Sequence, residues 1–115
     1  MESERMPVEL YLIHTEFLEE EEVFRQKLRM VSEKRRNKVL QYKTREDQKR
    51  SLAVGLLLEE LLRNHGYNPE LIETDSNGKL YLPEVKDFFF SLSHSGDYAV
   101  LAYHKNSPIG VDVEY

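Results

Sequence analysis

The amino-acid sequence predicts an α+β domain, a mostly antiparallel sheet packed against one long Leu-rich helix. Three observations carry this. A short apolar run near the N-terminus precedes helical patterns that extend to about residue 65. One of those patterns repeats leucine at helical spacing, a stripe wide enough to cover a sheet. Beyond it come short runs joined by tight turn signals, several of them alternating with period two, which suits strands linked by hairpins.

The elements follow in order. Val8–His14 is short, apolar and β-prone and reads as a strand. Glu19–Met30 places Val23, Phe24 and Leu28 at helical spacing, with acids at its start where the helix dipole favours them. Ser32 is placed to cap a second helix running to about Tyr42. Thr44 is placed to cap a third, with Glu46 and Asp47 in its first turn and Leu52, Leu56, Leu57, Leu61 and Leu62 as its apolar stripe. Asn64-His65-Gly66 is a stop signal. Leu71–Thr74 and Lys79–Leu82 read as strands around the turn Asp75-Ser76-Asn77-Gly78, and Pro83 ends the second. Phe88–Ser93 is a strand with Phe88, Phe90 and Leu92 on one face, and Ser93-His94-Ser95-Gly96-Asp97 is a turn. Tyr98–His104 and Ile109–Glu114 complete the series, separated by a turn at Lys105-Asn106-Ser107-Pro108. No repeat, linker or low-complexity tract divides the 115 residues, so one domain is expected.

Composition narrows the function classes. Hydrophobic residues make up 40%, which favours a folded domain. The sequence contains no Cys, which excludes disulfides and thiolate metal sites. No apolar run is long enough to span a bilayer, and the acidic N-terminus lacks a secretory signal pattern, so a cytoplasmic protein without membrane contact is expected. A net charge of −5 argues against nucleic-acid binding. That average hides a basic segment. Between Glu33 and Arg50 lie Lys34, Arg35, Arg36, Lys38, Lys43, Arg45, Lys49 and Arg50, half of the 16 basic residues of the chain. It reads either as a solvated helical face or as a docking place for an anion such as a phosphate.

The candidate chemistry lies near the C-terminus. Along Ile109-Gly110-Val111-Asp112-Val113-Glu114 the apolar residues share one strand face, and Asp112 and Glu114 share the other. Paired carboxylates suit a hard cation such as Mg²⁺, and an edge strand's wet face is the plain alternative. If strands 88–93, 98–104 and 109–114 pair in order as a meander, the two acids lie at the same rim as Ser93, His94 and Ser95. Turn amides, hydroxyls and an imidazole there suit phosphate oxygens. A nucleophile–base pair within Ser93-His94-Ser95 is disfavoured, because sequence neighbours rarely supply that geometry. Zinc is disfavoured because no second His lies at ligand spacing with His94.

Three segments taken together are more specific: Gly78-Lys79-Leu80-Tyr81-Leu82-Pro83, Phe90-Ser91-Leu92-Ser93-His94-Ser95-Gly96 and Ile109-Gly110-Val111-Asp112-Val113-Glu114. In this order and spacing they resemble the 4'-phosphopantetheinyl transferase superfamily, in its longer type built of two similar halves. The basic segment and the Glu46-Asp47 pair ahead of a Leu-rich helix also look like that family's. The resemblance covers the chain from about Val8 and corresponds to the N-terminal half of such an enzyme. It implies one half of a pseudo-two-fold fold, Mg²⁺ as cofactor, coenzyme A as co-substrate, and an apo acyl or peptidyl carrier protein whose serine receives the phosphopantetheine arm. Carried over residue by residue, Asp112 and Glu114 would be Mg²⁺ ligands. Ser93 and His94 would contact coenzyme A phosphates, and Lys79 and the Gly78 backbone would lie against the nucleotide. Lys34, Arg50 and Ser51 match positions that hold the 3'-phosphate. No residue is assigned as the catalytic base.

The chain departs from the family pattern at Leu80, which replaces a Pro, and at Asn37, which replaces a basic residue. It also has no Trp and no Trp-x-x-Lys-Glu segment of the second half. The isolated chain is therefore expected to transfer weakly or not at all. Two other readings stand beside this one. The chain pairs with itself or with a complementing second half, or it is a non-catalytic module that docks an acidic partner through residues 33–50.

Overall fold

The computed structural model describes residues 9–83, 85 and 89–104. Strand β1 (Glu9–His14) leads through a 3₁₀ turn (Thr15–Leu18) into helices α1 (Glu21–Met30), α2 (Glu33–Gln41) and α3 (Arg45–Asn64). A second 3₁₀ turn (Pro69–Leu71) precedes the short hairpin strands β2 (Glu73–Thr74) and β3 (Leu80–Tyr81), and then β4 (Phe89–Ser95) and β5 (Tyr98–His104). The α+β class expected from the sequence is the one observed.

The helices start and stop where the polar residues dictate. The Ser32 hydroxyl accepts from the Arg35 N–H at 3.2 Å and the Thr44 hydroxyl from the Asp47 N–H at 3.1 Å. Each side chain thereby satisfies a donor that a helix start leaves unpaired. At the far end of α3, Gly66 takes φ +82°. The Tyr67 N–H reaches the Leu62 carbonyl and the Gly66 N–H the Arg63 carbonyl, the paired bonds of a Schellman stop.

The three-stranded sheet has the order β1-β5-β4, with β5 antiparallel to both neighbours. Helix α3 is the spine of the core. Leu52 packs with Leu18, Phe24, Val39 and Ala99, and Leu58 and Leu62 pack with Phe90, Leu101 and Tyr103. The buried line of α3 therefore runs through Leu52, Gly55, Leu58 and Leu62, while Leu56 and Leu57 of the expected stripe are only half-buried.

Three expectations are corrected. The in-order meander required 109–114 to pair with β5, but β1 occupies that edge, from Glu9 opposite Tyr103 to His14 opposite Tyr98. The strand expected over 109–114, with Asp112 and Glu114, lies outside the described residues, as does Phe88. Ser93-His94-Ser95 is not a turn. These residues continue β4, opposite Val100, Ala99 and Tyr98, and the hairpin closes with Gly96 and Asp97 alone. Gly96 at φ +56° supplies the positive φ that a type II′ turn needs at its first central position, so two residues suffice. Finally, the expected strand over Leu71–Thr74 is a strand only at Glu73–Thr74, because Pro69 opens a 3₁₀ turn that the Asn68 side chain caps.

Candidate functional site

A cleft of about 440 Å³ opens between α2, the first half of α3, the 77–80 hairpin and β4. Helix α2 contributes Arg35 and Lys38, and Tyr42 follows at its C-cap, at spacings of three and four. Helix α3 contributes Asp47, Arg50, Ser51 and Val54, the hairpin Asn77 to Leu80, and β4 Phe90 to Ser93. Of the residues expected from the sequence, Arg50, Ser51, Gly78, Lys79 and Ser93 are thus brought to one place. His94 continues β4 opposite Ala99, directly after Ser93.

Lys34 is not among them. Its ammonium turns away from the cleft to the Ile72 carbonyl at 2.8 Å and the Glu73 carboxylate at 3.5 Å, tying α2 to β2. Arg35 and Lys38 of the same helix line the cleft. One residue along a helix rotates a side chain by about 100°, and here that turn sends Lys34 to the Ile72 carbonyl and Arg35 to the Ser51 hydroxyl.

The basic segment is largely consumed inside the fold. Arg36 donates to the Leu28, Arg29 and Val31 carbonyls and closes the end of α1. Arg45 lies over the Phe24 ring and pairs with Glu21. Lys49, only 2% exposed, is held by Glu19 and Glu46. These residues do not form an outward basic docking face. Arg35, Lys38 and Arg50 of the segment line the cleft, joined there by Lys79 of the hairpin, with Asp47 as the acid among its described lining residues.

The local geometry favours an anion there. Arg50 is anchored by Asp47 at 2.5 Å and reaches the Gly96 carbonyl at 3.4 Å, so it joins α3 to the β4–β5 turn. Arg35 is 93% buried by its 7% exposure and directs Nη1 at the Ser51 hydroxyl, 3.3 Å away. Burial lowers its pKa, and the Glu59 carboxylate opposes that shift. Lys38 is also pushed below its ordinary value, by burial first and then by the Arg35 charge. Two desolvated cations held together are stabilised by an anion between them. In the hairpin, the Asp75 carboxylate accepts the Asn77 and Lys79 N–H groups at 2.8 and 2.9 Å. Gly78 sits at φ +85° with nothing within 4 Å of where a Cβ would stand, so its backbone is open to close approach.

This chain matches the family described as 4'-phosphopantetheinyl transferase, N-terminal, over residues 17–106. It belongs to that family. Among curated relatives it is 33% identical over 87 residues to a 4'-phosphopantetheinyl transferase of Bacillus subtilis, covering 73% of this chain and 38% of the relative. It is 34% identical over 71 residues to the 4'-phosphopantetheinyl transferase psf-1 of Bacillus pumilus, covering 59% and 30%. The matched segment therefore spans only 30–38% of the length of these phosphopantetheinyl transferases. A holo-(acyl-carrier-protein) synthase of Bacillus anthracis, solved in complex with CoA (3',5'-ADP), shares the fold with a TM-score of 0.59 at 18% identity, over 87% of this chain and 96% of that one.

Among the described residues of this transferase-family domain, no group of three His, Asp or Glu side chains is placed to hold a metal ion. The acid in the cleft, Asp47, is already engaged by Arg50. No helix among the described residues is long and apolar enough to cross a membrane.

Proposed function

We propose that the cleft binds coenzyme A, and that the chain supplies one half of a site that transfers the 4'-phosphopantetheine arm to a serine of an apo carrier protein. The observation that carries this reading is the convergence of Arg35, Lys38, Arg50 and Lys79 on one cleft with a single acid, in a chain of this family. Arg35, Lys38, Arg50 and Ser51 would hold the 3'-phosphate. Lys79 and the Gly78 backbone would lie along the nucleotide, with Ser93 and His94 toward the pyrophosphate. In the reaction the carrier serine oxygen bonds to the β-phosphorus, its proton leaves to a base, and the bond to 3',5'-adenosine bisphosphate breaks. The described residues act by binding and orienting the phosphates and by neutralising their charge.

Mg²⁺, held by Asp112 and Glu114, would supply further charge neutralisation at the pyrophosphate. The roles given to the cleft residues stand without it. Because the relatives are about twice as long, a second half or a second copy is part of this proposal, as is weak transfer by the chain alone. A cytoplasmic location belongs to it too, and cell fractionation checks that part.

Transfer is tested by incubating the chain with apo carrier protein, coenzyme A and Mg²⁺ and reading the mass of the carrier. A slow phosphopantetheine increment that Asp112→Ala abolishes supports the reading. Binding of coenzyme A that is indifferent to Lys38→Met and Arg50→Met contradicts it.

A further inference from the structure

Gly55 sits in the buried line of a 20-residue helix, where glycine is the poorest helix former after proline. It has no turn to make there, and its φ is not positive. Its surroundings explain it. A Cβ at position 55 would stand 2.4 Å from Arg35 Cγ, 2.6 Å from Cδ and 2.9 Å from Nε. The two nearest atoms, Cγ and Cδ, belong to the aliphatic stem, so a small rotation of the guanidinium cannot relieve the overlap. The stem of Arg35 fills the notch that the missing side chain leaves in α3, and the guanidinium emerges one turn earlier, at Ser51.

The emerging end is poorly satisfied. Its hydrogen bonds within the described residues run from Nη1, at 3.3 and 3.5 Å to Ser51. Yet no fully buried side-chain nitrogen or oxygen among the described residues lacks a partner. The remaining guanidinium donors are therefore not sealed off, and Arg35 is among the residues lining the cleft. Around it stand Lys38 from its own helix and Glu59 from α3, with Tyr42 at the end of α2. A guanidinium that is buried, fixed by its stem and left with spare donors suits a doubly charged tetrahedral oxyanion such as a phosphate monoester.

We infer that Gly55 is a positioning residue for the anion site, because the notch it leaves threads Arg35 through the α2–α3 contact and aims it into the cleft. Gly55 touches no ligand itself. The inference rests on the coenzyme A reading of the cleft only for the identity of the anion. Any side chain at position 55 forces the Arg35 stem out of the notch and withdraws the guanidinium from Ser51.

The test is a double-mutant cycle on the full chain with Gly55→Ala, Arg35→Ala and both together, reading coenzyme A affinity by calorimetry and Tm by circular dichroism. Gly55→Ala is expected to weaken coenzyme A on the order of tenfold, as Arg35→Ala does, with no further loss in the double variant. Its effect on Tm is expected to change sign. Alanine lowers Tm while Arg35 is present and raises it once Arg35 is truncated, because only the helix-forming gain then remains. If Gly55→Ala alone does not fold, recovery of a cooperative transition in the double variant supports the inference. Additive losses, or a Tm that rises in both backgrounds, overturn it. If the unmodified chain does not bind coenzyme A, that reading of the cleft fails, and the Tm cycle alone decides the role of Gly55.

Discussion

Truncating Glu59 probes the device that sets the whole cleft. This carboxylate is 2% exposed, and it accepts the Ser32 N–H at 2.8 Å, the Ser32 hydroxyl at 2.5 Å and an Arg63 donor at 3.3 Å. It therefore clamps the start of α2 to the middle of α3, and α2 carries Arg35 and Lys38. Glu59→Ala leaves the Ser32 N–H and hydroxyl to find new partners and opens a cavity beside Leu58. The Arg63 bond contributes little, because that side chain is half exposed. Losing two buried bonds to a charged group costs about 3–5 kcal/mol. In a domain of this size that corresponds to a Tm lower by roughly 12–25 °C. Glu59→Gln keeps one acceptor and sets an NH₂ against a donor, for about 1–3 kcal/mol. Urea unfolding of Glu59→Ala, Ser32→Ala and the double variant measures the coupling, which is expected to exceed about 1 kcal/mol. A loss below about 1 kcal/mol for Glu59→Ala, or no coupling with Ser32, refutes the clamp.

Other outcomes follow from the same geometry. Lys38→Met is expected to weaken coenzyme A by about tenfold, while Lys34→Met costs under about 1 kcal/mol of stability and leaves affinity unchanged, as calorimetry on both variants will show. In the free chain the folded pKa of Lys38 lies below the unfolded one, so between those values the unfolded state binds the extra proton and this group's contribution to stability rises with pH. A bound phosphate favours the ammonium, so coenzyme A affinity should fall as pH rises through that lowered value, with proton uptake seen as a buffer-dependent enthalpy; a flat profile in Lys38→Met is the control. Gly96→Val should destabilise the β4–β5 hairpin by about 1–2 kcal/mol, since a β-branched residue must adopt φ +56°, and thermal unfolding reads this.

Much of the fold was legible because local chemistry and global packing agree. Ser32 and Thr44 are hydroxyls ahead of helical runs, Gly66 follows the last leucine of α3, and each acts where the sequence places it. The sheet order was not legible, since the pairing of β1 with β5 joins segments about 90 residues apart and leaves no local pattern. The hairpin turn is shorter than the sequence suggests, because Ser and Asp favour turns whereas Gly96 alone supplies the positive φ the chain needs. In the site, residue types were read well and their facing less well. Lys34 and Arg35 are neighbours of the same charge, and only the phase of α2, fixed by the burial of Val39 and Arg35, separates a tie to β2 from a cleft residue. The burial of Lys49 was likewise invisible, since its partners Glu19 and Glu46 lie 30 and 3 residues away.

The central claim is that desolvated cations of α2 and α3 grip a terminal phosphate monoester. Parallel titrations of the chain with coenzyme A and with dephospho-coenzyme A, which lacks only the 3'-phosphate, test it most directly. The account predicts binding of coenzyme A at least about tenfold tighter, a difference that Lys38→Met removes. Equal affinities for the two ligands, or a difference that survives that substitution, would contradict it.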